Sequence, residues 1–437
     1  MNSPAQRERG LPWRALLCLA LAGAVFIGVY STCNRFTATR GDVGTCYFGW
    51  EKSLPFVPWL VVPYWSLDLF YCGSFFLCAT RRELYRHTLR LVLVTVLSGI
   101  CFLLIPMRFG WDRPVPSGWT APLFTALYQN DLPYNLAPSL HISLRSLVWI
   151  IYGAHLRGRL RSLTKIWFIL IGVSTLLLWQ HHLLDVASGF LMGWFIQALI
   201  PNRESARGEV TPAHRRYALR YGAGALACAL LALPGGGWWW FAWPAVALAI
   251  PALAYFRADP ALMGKENGTL SPSAEWCLLP VLLVSGFIHG RYRRQLPPPV
   301  EIMPGIYFGR RLSKTEARAF LARGPVAVLD LTAESNASPL FREGAHYRSL
   351  PLLDLVPPGP ATRGLALDFI RAHHGQRTVF IHCQLGVLRS ASIAAAWLVE
   401  SGAEANEADA FRRIRTLHPQ AVVPKDTSST NRQRHAS

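Results

Sequence analysis

The stretch Val379-Phe380-Ile381-His382-Cys383-Gln384-Leu385-Gly386-Val387-Leu388-Arg389-Ser390 decides how the C-terminal part of the chain is read. A β-branched and aromatic run stops on a cysteine, a loop with one glycine follows, and Arg389 opens an alanine-rich helical run. A strand–loop–helix turn of this kind gathers backbone N–H groups into an anion cradle at the helix N-terminus. A cysteine at the base of that cradle is favoured as thiolate, the nucleophilic form. Gln384, Leu385, Gly386, Val387 and Leu388 would line the cradle. Arg389 would grip two phosphate oxygens with its planar fork, and Ser390 would donate a hydrogen bond to the departing sulfur. The plain alternative, a buried strand cysteine beside a structural histidine, leaves Gly386, Arg389 and Ser390 without a reason. No second Cys/His pair stands nearby, so neither a metal nor another cofactor is expected.

These residues also spell His-Cys-x-x-Gly-x-x-Arg-Ser, and roughly residues 296–420 resemble the dual-specificity branch of the protein tyrosine phosphatases. The resemblance implies a phosphocysteine intermediate and a general acid, normally an aspartate, on a separate loop. Asp354, between the prolines of Ser349-Leu350-Pro351-Leu352-Leu353-Asp354-Leu355-Val356-Pro357-Pro358, is the preferred candidate. Asp330 competes from the end of an apolar run, Val328-Leu329-Asp330-Leu331, where a structural role fits better.

The rest of the chain has a different character. Of 437 residues 51% are hydrophobic and only 16% charged, with a formal net charge of +19, which points to a polytopic membrane protein. Basic residues cluster between apolar runs, as the positive-inside rule requires of a chain with a cytoplasmic N-terminus. That pattern accounts for the charge without nucleic acid, for which no basic-aromatic cluster is present. Apolar runs lie near 11–30, 54–79, 88–105, 140–155, 164–180, 182–200, 217–233 and 238–256, giving about eight spans. Residues 276–290 are apolar but too short to cross, so a membrane-docked or re-entrant segment is expected there. The nine cysteines have no disulfide-framework spacing, although Cys33 and Cys46 could pair. Cys383 must stay reduced, which places its domain in the cytosol.

A second constellation sits in the membrane half. Asn135-Leu136-Ala137-Pro138-Ser139-Leu140-His141 precedes a run with His181 and Asp185, and Arg108 and Arg113 lie upstream. If one helix runs through His181 and Asp185, the carboxylate fixes the imidazole tautomer. His141 would protonate a leaving alkoxide, and Arg108 and Arg113 would hold phosphoryl oxygens. Pro-Ser-x-His followed by His-x-x-x-Asp resembles the type-2 phosphatidic acid phosphatase superfamily over about residues 55–200, most closely its inositol phosphorylceramide synthase-like branch. The resemblance implies that His181 is a nucleophile forming a phosphohistidine, with Asp185 as its partner. It further implies that His141 is the proton donor and that Ser139 binds phosphate. Two features depart from that pattern. Arg108 is set close to Arg113 in place of a more distant lysine, and Thr175 stands where an arginine is usual; Arg145 could compensate.

The expected architecture is a polytopic α-helical membrane domain followed by a small α/β cysteine-phosphatase domain. The membrane domain is a six-helix lipid-phosphatase-like core with extra helices. Its divisions are an N-terminal anchor and outer loop (1–50), the membrane core (51–200), additional helices with the docked segment (201–295), the phosphatase domain (296–424) and a disordered tail (425–437). The expected function is a bifunctional phosphatase of the bacterial inner membrane. A cytoplasmic cysteine site would act on phosphorylated protein or lipid, and an outer histidine site on membrane phospholipids. Alternatively the membrane half transfers a phospho-headgroup, or is a catalytically dead lipid-phosphate sensor.

Overall fold

The structure, a computed structural model, describes residues 8–202 and 207–422. The tail expected to be disordered lies outside them. In chain order the first helices are α1 (Leu11–Ala38), α2 (Val61–Leu77), α3 (Arg81–Leu104), α4 (Ala121–Asn130), α5 (Leu140–His155), α6 (Gly158–Leu177) and α7 (Leu183–Leu199). Then come α8 (Pro212–Ala232), α9 (Ala242–Phe256), a hairpin of β1 (Lys265–Glu266) and β2 (Thr269–Leu270), α10 (Pro272–Cys277) and α11 (Leu279–Arg293). The last part runs β3 (Val300–Met303), β4 (Ile306–Arg310), α12 (Lys314–Leu321), β5 (Val326–Thr332), α13 (Pro339–Gly344), β6 (His346–Leu352), α14 (Pro360–His373), β7 (Thr378–Cys383), α15 (Arg389–Glu400) and α16 (Glu407–Leu417).

Two compact units result: residues 8–201 with 271–277, and residues 207–270 with 278–422. In the first, α1, α2, α3, α5, α6 and α7 surround a core that includes Leu67, Phe75, Leu91, Phe102, Leu147 and Phe168. Five helices among the described residues are long and apolar enough to cross a membrane by length and composition: Leu11–Ala38, Pro58–Leu77, Arg81–Leu104, Gly158–Leu177 and Gly236–Phe256. The sequence led to about eight. The runs at α5, α7 and α8 fall outside because α5 and α7 are short and α8 carries Arg215, Arg216 and Arg220. Cys33 and Cys46 are both free, and Cys33 Sγ donates instead to Gly99 O at 3.6 Å.

In the second unit a five-stranded sheet runs β3-β4-β7-β5-β6, parallel except for β3. β7 lies between β4 and β5 and its register sets Cys383 opposite Arg310 and His382 opposite Asp330. A strand flanked on both edges and covered on both faces must be apolar throughout, which explains Val379-Phe380-Ile381. The nucleophile candidate therefore sits at the C-terminal end of a central parallel strand, where open α/β sheets present ligands.

This unit begins well before residue 296, the boundary expected from the sequence. The β1–β2 hairpin turns through Asn267 and Gly268, both at positive φ, as an Asn-Gly hairpin turn requires. A Cβ at Gly268 would stand 2.5 Å from the Tyr347 hydroxyl, so close approach also demands glycine. The hairpin delivers Lys265 into the five-stranded sheet. Its Nζ, fully buried, donates to Asp330 Oδ2 at 2.8 Å and to Thr332 O and Oγ1 at 2.7 Å each. Tyr347 O–H donates to the same carboxylate at 2.7 Å. Burial opposes the charge on Asp330, but Lys265 and these bonds outweigh it and hold the carboxyl well below its usual range.

Removing one member of a buried ion pair strands the other, at about 3–5 kcal/mol. Lys265→Met should therefore lower the denaturation midpoint of this unit by that order, and the double variant Lys265→Met/Asp330→Asn should recover much of the loss. Equal midpoints for Lys265→Met and the natural chain in chemical denaturation would contradict this account.

Candidate active site

The loop between β7 and α15 wraps the Cys383 sulfur. Gly386 N–H points to Sγ at 3.3 Å, and Ser390 Oγ lies 3.4 Å from Sγ and 3.3 Å from Gly309 O. Gly386 is at φ +79°, and a Cβ there would meet Arg310 N at 2.5 Å and Gly309 C at 2.6 Å, so backbone crowding fixes glycine. The cradle is tied at two further points, by Arg311 N–H to Gln384 O at 3.3 Å and Val422 N–H to Val387 O at 2.8 Å. The expected cradle residues Gln384, Leu385, Gly386, Val387 and Leu388 do form this loop.

Arg389 is completely buried. Its Nη1 donates to Leu352 O at 2.9 Å and Leu331 O at 3.3 Å, and its Nη1 and Nη2 clasp Glu334 at 2.9 and 2.6 Å. Nη2 also lies 2.9 Å from Asp354 Oδ1. Nε has no partner among the described residues, nor has the buried Gln384 Oε1. An unsatisfied buried guanidinium N–H costs free energy unless an anion completes it.

Asp354 and Asp330 have parted roles. Asp330 is locked to Lys265, 4.0 Å from His382 Nε2 at its nearest, and does not contact Arg389. The Asp354 carboxyl sits against Arg389 on a loop whose carbonyl accepts the Tyr255 hydroxyl at 2.7 Å. Burial raises the Asp354 pKa, Glu334 adds to that, and Arg389 offsets only part, so the carboxyl is held toward its protonated form. Burial would also raise Glu334, but the charge and hydrogen bonds of Arg389 win and it stays below its usual range. The pKa values of two carboxyls on one guanidinium are thus pushed in opposite directions. Glu334 went unnoticed in the sequence, since nothing local marks a single glutamate after β5 as a partner for Arg389.

The membrane half is assembled differently from expectation. His141 and His181 do line one cavity of about 410 Å³, with Tyr30, Tyr64, Asp68 and Asp131. However, α7 starts at Leu183 with His182 as its cap, so His181 precedes the helix, yet its side chain still meets Asp185. Asp185 Oδ2 accepts the His182 N–H at 2.7 Å as part of that cap and stands 3.7 Å from His181 Nδ1, beyond hydrogen bonding. The Ser139 hydroxyl caps α5 through Ile142 N–H at 3.4 Å. Arg113 donates to Asp131 O at 3.0 Å and lies over the Tyr128 ring, while the Arg108 side chain is exposed; neither lines the cavity. Arg145 donates to Phe168 O and is likewise outside it. His182 is a structural residue: Gly110 N–H donates to its Nε2 at 3.1 Å and its Nδ1 meets Glu51 at 3.2 Å.

About a quarter of the chain is homologous to dual-specificity phosphatases. Dual specificity protein phosphatase 2 of Mus musculus is 36% identical over 107 residues, 24% of this chain and 32% of that protein. Dual specificity protein phosphatase 12 of Mus musculus is 33% identical over 132 residues, 28% of this chain and 37% of that protein. Dual specificity protein phosphatase 1 of Homo sapiens is 33% identical over 106 residues, 24% of this chain and 28% of that protein. The chain thus spans about a third of the length of the curated relatives it matches. The crystal structure of Tk-PTP in the active form aligns with 31% of this chain and 95% of its own, at 21% identity and a TM-score of 0.28. No family model matches the chain.

A carboxyl whose folded pKa lies above its unfolded one destabilises the fold once pH passes the unfolded value, near about 4. The unfolding temperature of Asp354→Asn relative to the natural chain should therefore rise as pH goes from about 4 to 7, on top of a pH-independent offset from the lost Arg389 contact. Thermal melts across that range check it, and a difference that stays flat or falls as pH rises would refute it.

Proposed function

We propose that the chain is a membrane-bound phosphatase whose C-terminal region hydrolyses phosphomonoesters through Cys383. The observation that carries this reading is the buried Arg389 with its free Nε, set beside a sulfur cradled by Gly386 N–H. The thiolate attacks phosphorus, the P–O bond to the alcohol breaks, and Asp354 gives its proton to the leaving oxygen. Arg389 Nε and the cradle amides hold the non-bridging oxygens as the charge moves onto them. Water then attacks the phosphocysteine, the Asp354 carboxylate takes its proton, and Ser390 hydrogen-bonds the sulfur as it leaves. Glu334 keeps the guanidinium in place throughout. The homology to dual-specificity phosphatases supports a phosphoric monoester hydrolase of this type, and the reduced thiol this chemistry needs favours the cytosolic face.

The membrane half is the second part of the proposal. His141 and His181 opening onto one cavity supports histidine-dependent chemistry on a membrane phospholipid, either hydrolysis or transfer of its headgroup. Arg108, Arg113 and Arg145 do not line that cavity and Asp131 does, which weighs against efficient turnover, and the alternative is a catalytically dead lipid-phosphate sensor. Both readings place the helices in the bacterial inner membrane.

With p-nitrophenyl phosphate as probe, Cys383→Ser should abolish turnover. Asp354→Asn should lower kcat by about 10²–10⁴-fold and remove the fall in rate at high pH. In a Cys383→Ser chain, phosphate release from phosphatidic acid vesicles that His181→Ala abolishes would establish the second catalytic site. Release that survives His181→Ala would dismiss it, and the sensor reading expects no release at all.

A further inference from the structure

The second unit carries, on its own, a membrane-like element joined to the acid loop. Helices α8 and α9 lie side by side, linked by a turn that exposes Trp238, Trp239 and Trp240. Along them Leu219, Leu226, Leu230, Leu233 and Phe256 are exposed, an outward apolar face that water does not favour. The apolar stretch Gly236–Phe256 has 21 residues, about 30 Å of helix and so the thickness of a bilayer core. Away from the tryptophans its end is of another kind. Tyr217, Tyr221 and Tyr255 cluster there with ring centroids 5.5 and 5.6 Å apart, and Arg216 and Arg220 lie over the Tyr217 ring at 5.2 and 5.6 Å. Arg207, Arg215 and Arg257 are exposed at the same end. Tryptophan at one end and arginine with tyrosine at the other is how spans are anchored at the two interfaces, with the basic end cytoplasmic.

The active site is fastened to that basic end. Tyr255, next to last in α9, donates its hydroxyl to the carbonyl of Asp354 at 2.7 Å. One hydrogen bond therefore separates the end of a bilayer-length helix from the candidate proton donor. The next residue, Leu355, is held at φ +60° with its side chain 45% exposed. A leucine in the left-handed region costs of order 1–3 kcal/mol, and such strain persists where function uses it. Here it leaves an apolar side chain exposed directly after Asp354, which touches Arg389. The cradle side chains carry no positive charge, which suits a single phosphate, while the exposed arginines draw anionic molecules to the rim.

We infer that the Cys383 site takes its substrate from the bilayer: a phospholipid with one terminal phosphomonoester, its glycerol backbone against Leu355 and its chains beside α8 and α9. This rests on the hydrolytic reading of Cys383 above and names the substrate class for it. The arginine–tyrosine end would sit among the headgroups and hold the acid loop at the depth where such a phosphate lies. A phosphopeptide in solution would gain nothing from Leu355 or from the apolar helices.

The test uses the full-length His181→Ala chain, so that the membrane half contributes no hydrolysis, in phosphatidylcholine vesicles. Phosphatidylglycerol phosphate in those vesicles, its deacylated headgroup, a phosphotyrosine peptide and p-nitrophenyl phosphate are compared. The lipid should exceed its deacylated headgroup in kcat/KM by at least about 100-fold, since remote binding energy is spent at the reacting centre. Leu355→Asn, which tolerates the left-handed backbone, should lower the ratio of lipid to aryl phosphate turnover at least about 10-fold. Equal rates for lipid and headgroup, or a preference for the peptide, would overturn the inference while leaving Cys383 chemistry intact. If Cys383→Ser still cleaved p-nitrophenyl phosphate, the reading of the site itself would fail instead.

Discussion

A guanidinium shut away from water governs the unit that holds Cys383. Burying a charge is costly unless it is paired and hydrogen-bonded, so Arg389 imposes positions on everything near it. The carbonyls of Leu331 and Leu352 must turn inward at the ends of β5 and β6, Glu334 must follow β5 closely, and the loop carrying Asp354 must fold back over β6. The same cation holds Glu334 below its usual range, while burial and the charge of Glu334 push Asp354 the other way. Fold and chemistry here are two readings of a single electrostatic requirement.

A second buried cation, Lys265, plays the corresponding part at the back of the sheet. Asp330 faces His382 across β5 and β7, and His382 directly precedes the nucleophile candidate. The Lys265–Asp330 pair thus stiffens the strand end from which Cys383 emerges. A stretch that the sequence groups with additional membrane helices therefore supplies a side chain to the interior of this unit.

The catalytic loop was the most legible part of the chain, because Cys383, Gly386, Arg389 and Ser390 are bound to one local geometry and short spacing carries it. Helix α15 was equally readable, as an alanine-rich run opened by Arg389 straight after a glycine-containing loop. The partners of Arg389 and Asp330 were not legible, since Glu334 and Lys265 reach them only through the tertiary fold. The β1–β2 hairpin could have been found, for Asn267-Gly268 is a strong turn signal, but its strands are too short to show alternation. His181 and Asp185 do meet, but not by the route their spacing suggests. Their spacing fits one helix face, yet His182 caps the helix and leaves His181 outside it. Spacing alone does not reveal where a helix begins.

The Lys265 ammonium has a consequence for how such a chain can be rebuilt. A phosphatase of the same sheet order spliced in after α11 would receive that charge in an interior with nothing to neutralise it, unless it happened to bring a carboxylate to the same strand position. The catalytic part is therefore not an exchangeable cassette. Recombination, natural or engineered, succeeds only if the crossover falls before the hairpin and carries both charges across together.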